Sequence, residues 1–218
     1  NFAAFDATKL LGKDVKDLKI ITCHLGNGAS ITAIQWGRSI DTSMGFTPVD
    51  GLIMGTRTGE IDAGVLIYIA DKEHLNVTGV NNLINKKSGM AGISGLSSDM
   101  RDLEAAASEG NEKALLALNM YAYKVKKFIG SYIAVLNGLD LLVFTGGVGE
   151  NDFKMRAMIC SDMESLGIKF DFDANNGVRG IDKVISKPES KATVMCITTD
   201  EEFVIAADTK YIVEHQTV

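Results

Sequence analysis

The sequence predicts an α/β protein in which a mixed β-sheet is flanked by helices. Two observations carry this prediction. Strand-like runs lead repeatedly into helix-like runs along the chain, and the first strands are joined by short glycine-containing turns into a meander. A later run, "LDLLVFT", is apolar except for Asp140 and Thr145 and is predicted to be a strand of the same sheet.

The first half of the chain is predicted to hold the meander and three helices. Its elements are a helix over about 2–11, strands within 18–24, 29–35 and 39–43, a helix over about 60–73 and a shorter helix after Thr78. Asn27-Gly28 suits turn positions with positive φ, and Gly37-Arg38 forms the second turn. Residues 42–59 show no clear period. A long irregular segment inside a domain is more often functional than idle.

The second half is predicted to place helices around two further strands. One helix has Ser98 as its N-cap, and the strongest helix, over about 112–137, carries apolar residues three or four apart on one face. The remaining elements are a strand over 139–145, a helix over 152–166, a strand over 192–198 and a closing helix over 200–215. No internal repeat or linker divides the chain.

Composition argues against several classes of function. The net charge of the 218 residues is -6, whereas general nucleic-acid binding needs a basic surface. No apolar run approaches the ~18 residues of a membrane span, and the first residues lack the pattern of a signal peptide. Cys23, Cys160 and Cys196 are odd in number and scattered, which favours thiols in a reducing cytosol over disulfides or zinc. A cytoplasmic protein is therefore expected.

Two glycine-rich stretches follow predicted strands, "HLGNGAS" at 24–30 and "LVFTGGVGEN" at 142–151. A strand, a glycine turn and a helix start resemble the phosphate sites of nucleotide-binding folds. The second stretch matches neither the P-loop nor a clean G-x-G-x-x-G pattern. A tight connection explains it equally well, an ordinary Asn-Gly hairpin explains the first, and His24 alone is more often a strand-end histidine than a ligand. These residues alone leave both interpretations open.

Several charged residues are candidates for chemistry, each with a structural alternative. Arg57 lies among small residues, which let a guanidinium approach phosphoryl oxygens, but a surface arginine is the alternative. Asp99 and Arg101 lie at a helix start, where capping explains them. Glu201 begins the last helix, where it either favours the helix dipole or lies near a nucleotide-bound Mg²⁺.

The order of the motifs is more specific than any one of them. "HLGNGAS", "DTSMGFTP", "MGTRTGEID", "NKKSGMAGISGLSSDMRD", "GLDLLVFTGGVGEN" and "TDEE" together resemble the acetate kinase family over almost all of the chain. The resemblance implies an actin-like, sugar-kinase-type (ribonuclease H-like) domain in a two-domain enzyme with its active site between the domains. Residues 1–218 then correspond to the C-terminal nucleotide-binding domain, and the N-terminal domain is absent from this chain.

The resemblance also implies roles for the motif residues. Arg57 would stabilise the phosphoryl group in transfer, and His24 would contact phosphate. Glu201 would help to hold Mg²⁺, the cofactor expected with ATP or ADP. The nucleotide-binding residues implied are Gly26, Asn27, Gly28, Asp99, Met100, Arg101, Gly147, Val148, Gly149, Glu150 and Asn151.

The implied reaction is direct in-line phosphoryl transfer from ATP to acetate, giving ADP and acetyl phosphate. Much of the acetate pocket belongs to the absent half, so the chain alone is expected to be inactive or nearly so. Two alternatives stay open: a propionate or butyrate kinase of the same family, and an assembly module built on the helix over 112–137. The expected partners are these substrates and a second copy in a homodimer, with no nucleic acid and no membrane.

Overall fold

The structure, a computed structural model, describes residues 2–199 and 201–215. The strands are β1 Ile20–Leu25, β2 Ala29–Gln35, β3 Arg38–Thr42, β4 Leu141–Thr145, β5 Lys183–Val184 and β6 Thr193–Cys196. The α-helices are α1 Phe2–Leu11, α2 Ala63–Lys72, α3 Val77–Lys86, α4 Gly89–Ser94, α5 Met100–Ser108, α6 Glu112–Leu136, α7 Gly146–Asn151, α8 Phe153–Cys160, α9 Phe172–Asn175 and α10 Glu201–His215. Two 3-10 helices lie at Val15–Asp17 and Glu164–Leu166.

One mixed sheet organises the fold, with the strand order β3-β2-β1-β4-β6-β5. The antiparallel meander of β1, β2 and β3 is confirmed, and β1, β4 and β6 run parallel at the centre. Ile20 of β1 pairs with Leu141 of β4, and His24 pairs with Thr145. The two central strands therefore end side by side, and the glycine-rich stretches that follow them meet at one edge of the sheet. Ligands of open α/β sheets bind at this carboxyl edge of parallel strands.

Helices cover both faces of the sheet, and β4 is buried on both. Leu142 and Phe144 point into the larger core, which α6 and α8 also line, whereas Leu141 and Val143 point into a smaller core beneath α1. Successive side chains of a strand face opposite sides of a sheet, so a strand covered on both sides is apolar at every position. This accounts for the continuous apolar run that predicted β4.

The longest helix, α6, confirms the predicted periodicity. Its inward face buries side chains at three- and four-residue spacing, among them Leu118, Val125 and Ile129. The helix ends at Leu136, where Asn137 adopts the left-handed conformation and caps it. Among the helices of the described residues, none is both long enough and apolar enough to cross a membrane.

Several local predictions are wrong. The glycine-rich stretch at Gly146 is not only a turn but begins the short helix α7, and the helix predicted over 152–166 ends at Cys160. Helix α4, at Gly89–Ser94, lies where no helix was predicted. The N-cap of α5 is Asp99 rather than Ser98, because the Asp99 carboxylate accepts a hydrogen bond from the Arg101 N–H.

The second turn of the meander lies one residue earlier than predicted. It consists of Trp36 and Gly37, which have φ values of 54° and 71°, and Arg38 already belongs to β3. Positive φ at both central residues matches the twist of the flanking strands. Tryptophan holds this conformation at some local cost, since a side chain disfavours the left-handed region.

Candidate functional site

The loop between β1 and β2 forms one wall of a cleft at the carboxyl edge of the sheet. Its residues are Gly26, Asn27 and Gly28, and the Gly26 N–H donates to the Gly28 carbonyl (3.0 Å). The predicted positive φ at Asn27-Gly28 is wrong, since neither residue is left-handed. A Cβ on Gly28 would lie 3.6 Å from Nη1 of Arg57. The glycines therefore keep the loop free of side chains rather than give it an unusual conformation.

The irregular segment 43–62 is fixed against this loop. The Gly55 N–H donates to the Asn27 carbonyl (3.1 Å), and the Met90 N–H of α4 donates to the Met54 carbonyl (2.9 Å). A Cβ at position 55 would lie only 2.0 Å from Oδ1 of Asn27. A side chain at position 55 would therefore displace the side chain of Asn27, and the segment has a defined path without being helix or strand.

Arg57 lies beside the β1–β2 loop with its charge uncompensated. Its Nη1 donates to Sδ of Met54 at 3.5 Å, and a thioether is a weak acceptor. No carboxylate of the described residues forms an ion pair with it. The side chain is partly buried. A guanidinium with one weak partner keeps most of its N–H donors for an anionic ligand.

The turn after β4 passes close to the end of β1. Gly146 has a φ of +79°, and a Cβ there would lie 2.9 Å from the Leu25 carbonyl oxygen and 3.2 Å from Cε1 of His24. Glycine is needed here both for its conformation and for space. His24 is half-buried at this turn and packs against its backbone rather than lining the cleft.

Glu150 ties this turn to the segment that follows β6. Its Oε1 accepts hydrogen bonds from the Gly146 N–H (2.9 Å), the Thr199 N–H (2.9 Å) and the Thr199 hydroxyl (2.7 Å). Asp182 similarly accepts from the N–H and hydroxyl of Thr198. These two carboxylates hold the approach to α10 beside the turn. The side chain of Glu201, the predicted Mg²⁺ ligand, lies outside the described part of the structure.

The start of α5 contributes the opposite wall. Asp99 caps the helix and receives two further hydrogen bonds from the Arg101 side chain, from Nε (3.0 Å) and Nη2 (2.6 Å). These bonds from Arg101 lower the pKa of Asp99 to about 2. The pair is exposed to solvent, so its contribution to stability is small. Its arrangement instead fixes the guanidinium of Arg101 at the rim of the cleft.

Between these walls lies a cleft of about 700 Å³. One part of it is formed by Gly26, Asn27, Gly55 and Gly147, and we call this part the glycine end. The rest of the lining comes from α4, α5, α6 and α7, from residues next to them, and from Arg179. The remaining lining residues are Met90, Ser98, Asp99, Met100, Arg101, Glu104, Tyr121, Val148, Asn151, Asp152 and Arg179.

Comparison with known proteins identifies the family. The sequence model of the acetokinase family matches residues 1–207, almost the whole chain. The chain belongs to the acetokinase family. Curated acetokinases that resemble it include the acetate kinase of Parabacteroides distasonis, 55% identical over 208 residues, which are 95% of this chain and 52% of the relative. The acetate kinase of Bacteroides thetaiotaomicron is 57% identical over 92% of this chain and 50% of its own length.

Solved acetokinase structures have the same fold. The crystal structure of Porphyromonas gingivalis acetate kinase superposes with a TM-score of 0.95 at 53% identity, covering 96% of this chain and 53% of that one. A propionate kinase from Francisella tularensis superposes with a TM-score of 0.85 at 43% identity, covering 93% and 51%. The actin-like, sugar-kinase-type fold predicted from the sequence is confirmed. The chain spans about half the length of the relatives it matches.

The acetokinase motifs are brought together around the cleft, although they are far apart in sequence. Eight of the eleven predicted nucleotide-binding residues line it, and Arg57 lies beside its glycine end. Gly28, Gly149 and Glu150 do not line it, since Gly28 faces Arg57, Gly149 is buried and Glu150 is occupied by internal hydrogen bonds. The eight lining residues are Gly26, Asn27, Asp99, Met100, Arg101, Gly147, Val148 and Asn151.

Sequence reasoning missed a buried arginine that supports the acetokinase cleft. Arg156 of α8 is fully buried, and its guanidinium donates to the carbonyls of Gly149 (2.6 Å) and Val178 (2.7 Å) and to Oδ1 of Asn175 (2.9 Å). Burial lowers its pKa. The three bonds join α7 to the loop that carries Arg179. A lone arginine within "NDFKMRAMIC" gives no signal of burial, because its acceptors lie elsewhere in the chain.

A second missed group lies where α5 and α6 line the cleft. Glu104 of α5, Tyr121 of α6 and Asp152 before α8 line it together, and we call this part the helix end. The carboxyl of Asp152 faces that of Glu104; burial, and next the hydrogen bond with Glu104, raise its pKa to about 7. Glu104 also pairs with Lys154 (3.6 Å). The sequence could have indicated Asp152, because it directly follows the predicted stretch "GGVGEN". Nothing in the sequence distinguishes Tyr121 from any other core residue of a helix.

Proposed function

We propose that the chain is the nucleotide-binding half of a two-domain acetate kinase, which transfers a phosphoryl group between ATP and acetate to give ADP and acetyl phosphate. The observation that carries this proposal is the uncompensated guanidinium of Arg57 beside the glycine end of the cleft. Membership of the acetokinase family supports the reaction class. Acetyl-group metabolism through acetyl phosphate follows from the same proposal.

The phosphate groups of the nucleotide would lie at the glycine end. Gly26, Gly55 and Gly147 leave room there for phosphate oxygens close to the backbone, and Arg57 supplies a planar fork of donors. In a phosphoryl transfer the charge spreads over the equatorial oxygens, so positioning and neutralisation provide most of the catalysis. Arg57 is the catalytic residue in this proposal. His24 contacts the phosphate less directly, since it packs against the Gly146 turn.

The nucleoside would lie along the wall formed by α5 and α7. Met100 and Val148 offer apolar surface on opposite sides of the cleft, and both are partly exposed to it. Asn151 is held in place because its Nδ2 donates to the Gly147 carbonyl (3.0 Å). Asp99 and Arg101 lie at the rim, where they would contact the sugar.

A magnesium ion held with the nucleotide is expected beside the glycine end. Mg²⁺ prefers oxygen ligands and is bound in kinases by one or two carboxylates together with phosphate oxygens. Glu150 and Asp182 fix the segment before α10 by their hydrogen bonds to Thr199 and Thr198, which brings the start of α10 towards the Gly146 turn. Glu201 would be the carboxylate ligand. When bound, Mg²⁺ would neutralise charge on the phosphates.

The other half of the active site would come from the part of the relatives that this chain does not match. The relatives are about twice as long as the chain. The pocket for the acyl group would lie mostly in the part of the relatives that the chain does not match. We therefore expect the isolated chain to bind nucleotide but to form little or no acetyl phosphate.

Reconstitution tests this division. Acetyl phosphate formation from MgATP and acetate is measured with the isolated chain, with the N-terminal half of the Parabacteroides distasonis enzyme and with both together. The expected result is activity only in the mixture. Full activity of the isolated chain would contradict the division into halves, and saturable nucleotide binding without activity in any mixture would contradict the kinase proposal.

Nucleotide binding by the chain alone is tested by calorimetric titration with MgADP. Gly147→Val introduces a side chain into the cleft at a position where a Cβ has no neighbour within 4 Å, so folding is preserved. Gly130→Val is the matched control, because Gly130 lies on α6 outside the cleft with equally open space. We expect binding to weaken at least tenfold in Gly147→Val and to persist in Gly130→Val. Equal affinities would place the nucleotide elsewhere.

Two further points belong to the same proposal. The likeness to a propionate kinase at 43% identity keeps propionate, and by extension butyrate, as alternative acceptors; competition between the three acids in the reconstituted enzyme decides between them.

Apolar side chains exposed on α2 and α6, such as Ile67, Tyr68 and Tyr123, support a homodimer. Sedimentation of the chain tests it, and a strict monomer at micromolar concentration counts against it.

A further inference from the structure

A second cavity adjoins the segment that carries Arg57. It has a volume of about 560 Å³ and lies between α4, α6 and the segment at 53–60. Three lysines line it, Lys87, Lys124 and Lys127, and we call it the lysine pocket. No described residue lines both this pocket and the cleft, so the two cavities are separate places on the chain.

The charge of the lysine pocket is unbalanced. Its three lysines face one carboxylate, that of Glu60, which forms an ion pair with Lys124. The hydrogen bond from Lys124, and to a smaller extent the charge of Lys127, lower the pKa of Glu60. Lys87 and Lys127 form no ion pair within the described residues. Three positive charges less one negative charge leave two positive charges at the pocket, although the chain as a whole carries -6.

The rest of the lining offers apolar surface for an organic molecule. Ile53, Ile93 and Met120 line the pocket, and Tyr123 adds an aromatic ring, with Nζ of Lys127 lying 5.8 Å from the ring centroid. Sites for small molecules combine a mostly apolar lining with a few polar groups that fix the orientation of the ligand. A cavity lined by one sign of charge also raises the local concentration of the opposite ion. The lining therefore matches an anion with an apolar body.

We propose that the lysine pocket binds a small organic dianion, with its charges at Lys87 and Lys127 and its apolar body against Met120. Two negative charges neutralise the two lysines that Glu60 does not pair with. An apolar protein surface is a less favourable occupant, because the ammonium groups would lose water without gaining a partner. Binding at this site does not depend on the proposed kinase function.

The lysine pocket and the cleft share the segment that carries Arg57. Thr58 lines the pocket, whereas Gly55 lines the cleft. At the start of α4, Gly89 lines the pocket and the next residue, Met90, lines the cleft. A Cβ on Gly89 would lie 2.8 Å from the Arg57 carbonyl oxygen. A ligand in the pocket therefore acts on the backbone of Arg57, and we expect its binding to be coupled to that of the nucleotide. This coupling rests on the proposed function.

The first experiment tests the chemistry of the ligand. The chain is titrated calorimetrically at pH 8 with phenyl phosphate and with phthalate, which carry two negative charges on the same aromatic ring and so distinguish a phosphate ester from a dicarboxylate. Inorganic phosphate supplies the charge without the apolar body. We expect saturable binding of phenyl phosphate or phthalate, at least tenfold tighter than that of inorganic phosphate, because burial of the ring adds apolar contact.

The second experiment locates the site with variants. Lys87→Met combined with Lys127→Met removes the two lysines without an ion pair. The matched control combines Lys86→Met with Lys113→Met, which removes two exposed lysines outside the pocket and changes the net charge equally. We expect the affinity for the bound probe to fall at least tenfold in the first variant and to persist in the control. Binding should also persist in Arg57→Ala, which separates the pocket from the glycine end of the cleft.

The third experiment measures the coupling. MgADP is titrated into the chain with and without a saturating amount of the bound probe. We expect the affinity for MgADP to change at least about threefold, and the affinity for the probe to change by the same factor in saturating MgADP, because coupling between two sites is reciprocal. The change should be absent in the variant that combines Lys87→Met with Lys127→Met, which excludes competition inside the cleft.

The outcomes separate the two proposals. Failure of the wild-type chain to bind phenyl phosphate and phthalate would overturn the dianion site, and so would equal affinity for the probe in the variant that combines Lys87→Met with Lys127→Met. An affinity for MgADP that does not respond to the probe would overturn the coupling. Failure to bind MgADP together with saturable binding of the probe would contradict the proposed nucleotide function and support the dianion site.

Discussion

The two ends of the cleft are built from different materials. The glycine end consists of glycine turns and Asn27, with Arg57 beside it, and no carboxylate of the described residues forms an ion pair with Arg57. The helix end consists of the side chains of Glu104, Tyr121 and Asp152, of which Tyr121 is buried and its hydroxyl has no hydrogen-bond partner among the described residues. One end is defined by where side chains are absent, and the other by which side chains are present.

This difference has a consequence for stability and function. At the glycine end, a change that fills space or removes charge is expected to damage binding or catalysis without any compensating gain. At the helix end, removal of an unpaired buried polar atom is expected to stabilise the fold, because an unpaired buried group costs about 1–3 kcal/mol.

The largest effect is expected from the charge at the glycine end. Arg57→Ala should lower the rate of the reconstituted enzyme about 10³-fold, because an arginine that stabilises phosphoryl charge contributes on this scale. Arg57→Lys should restore little, since an ammonium cannot provide a planar fork. Arg38→Ala, at an exposed position on β3, is the control. An unchanged rate in Arg57→Ala would remove the catalytic role of the glycine end.

The next effect concerns the support between the two ends. Arg156→Met should lower the free energy of unfolding by about 3 kcal/mol, because three buried acceptors lose their donor. Chemical denaturation measures this, with the exposed Arg179→Met as the control. A loss below about 1 kcal/mol would mean that α7 is held by packing rather than by this guanidinium.

Two adjacent glycines of the β4–α7 connection should respond differently. Gly146→Ala forces positive φ on an L-residue and places a Cβ 2.9 Å from the Leu25 carbonyl, so it should cost about 2 kcal/mol of stability. Gly147→Ala meets no atom within 4 Å and should cost less than about 0.5 kcal/mol. Thermal unfolding of both variants checks this. Equal losses would show that the space at position 147 is not open.

The smallest effect is a pH dependence of the helix end. The pKa of Asp152 is raised to about 7 in the folded chain, above about 3.9 when unfolded. The folded state therefore binds this proton more tightly, and Asp152 destabilises the fold increasingly as pH rises from about 4 to 7. Asp152→Asn should be more stable than wild type by about 1–2 kcal/mol at pH 8 and similar to it at pH 4.

Melting curves at several pH values measure this difference. Glu104→Gln serves as the comparison. It removes the carboxyl that faces Asp152 and with it one cause of the raised pKa of Asp152. The loss of stability with rising pH should therefore begin at a lower pH in this variant than in wild type. A stability difference between Asp152→Asn and wild type that does not change with pH would show that the Asp152 carboxyl is not buried in solution.

Much of the fold was predictable because its signals are local. The alternation and turns of β1 to β3, the apolar run of β4 and the spacing of α6 each lie within one short stretch of sequence. Residues 42–59 were predicted only as irregular. What orders this segment is a set of backbone contacts to α4 and the β1–β2 loop, and no residue pattern within the segment specifies those partners.

The candidate site divides in the same way. The glycine end was predictable because glycine, and so the lack of a side chain, is read directly from the sequence. The reason predicted for Asn27-Gly28 was wrong, because the loop requires space and not positive φ. Glu150 was predicted to bind nucleotide. Its hydrogen bonds to Thr199 instead make it a link between distant segments, which only the folded chain brings together.

By itself the sequence determined the α/β class, the order of its main elements and the positions where backbone had to stay bare, because periodicity and glycine act through neighbouring residues. Only the tertiary structure decided that Arg156 is a buried support, that Arg57 has no compensating carboxylate among the described residues, and that Tyr121, Asp152 and Glu104 share one surface. Burial and electrostatic environment are set by partners far apart in the chain. Their chemistry therefore depends on the fold, which no single stretch of sequence contains.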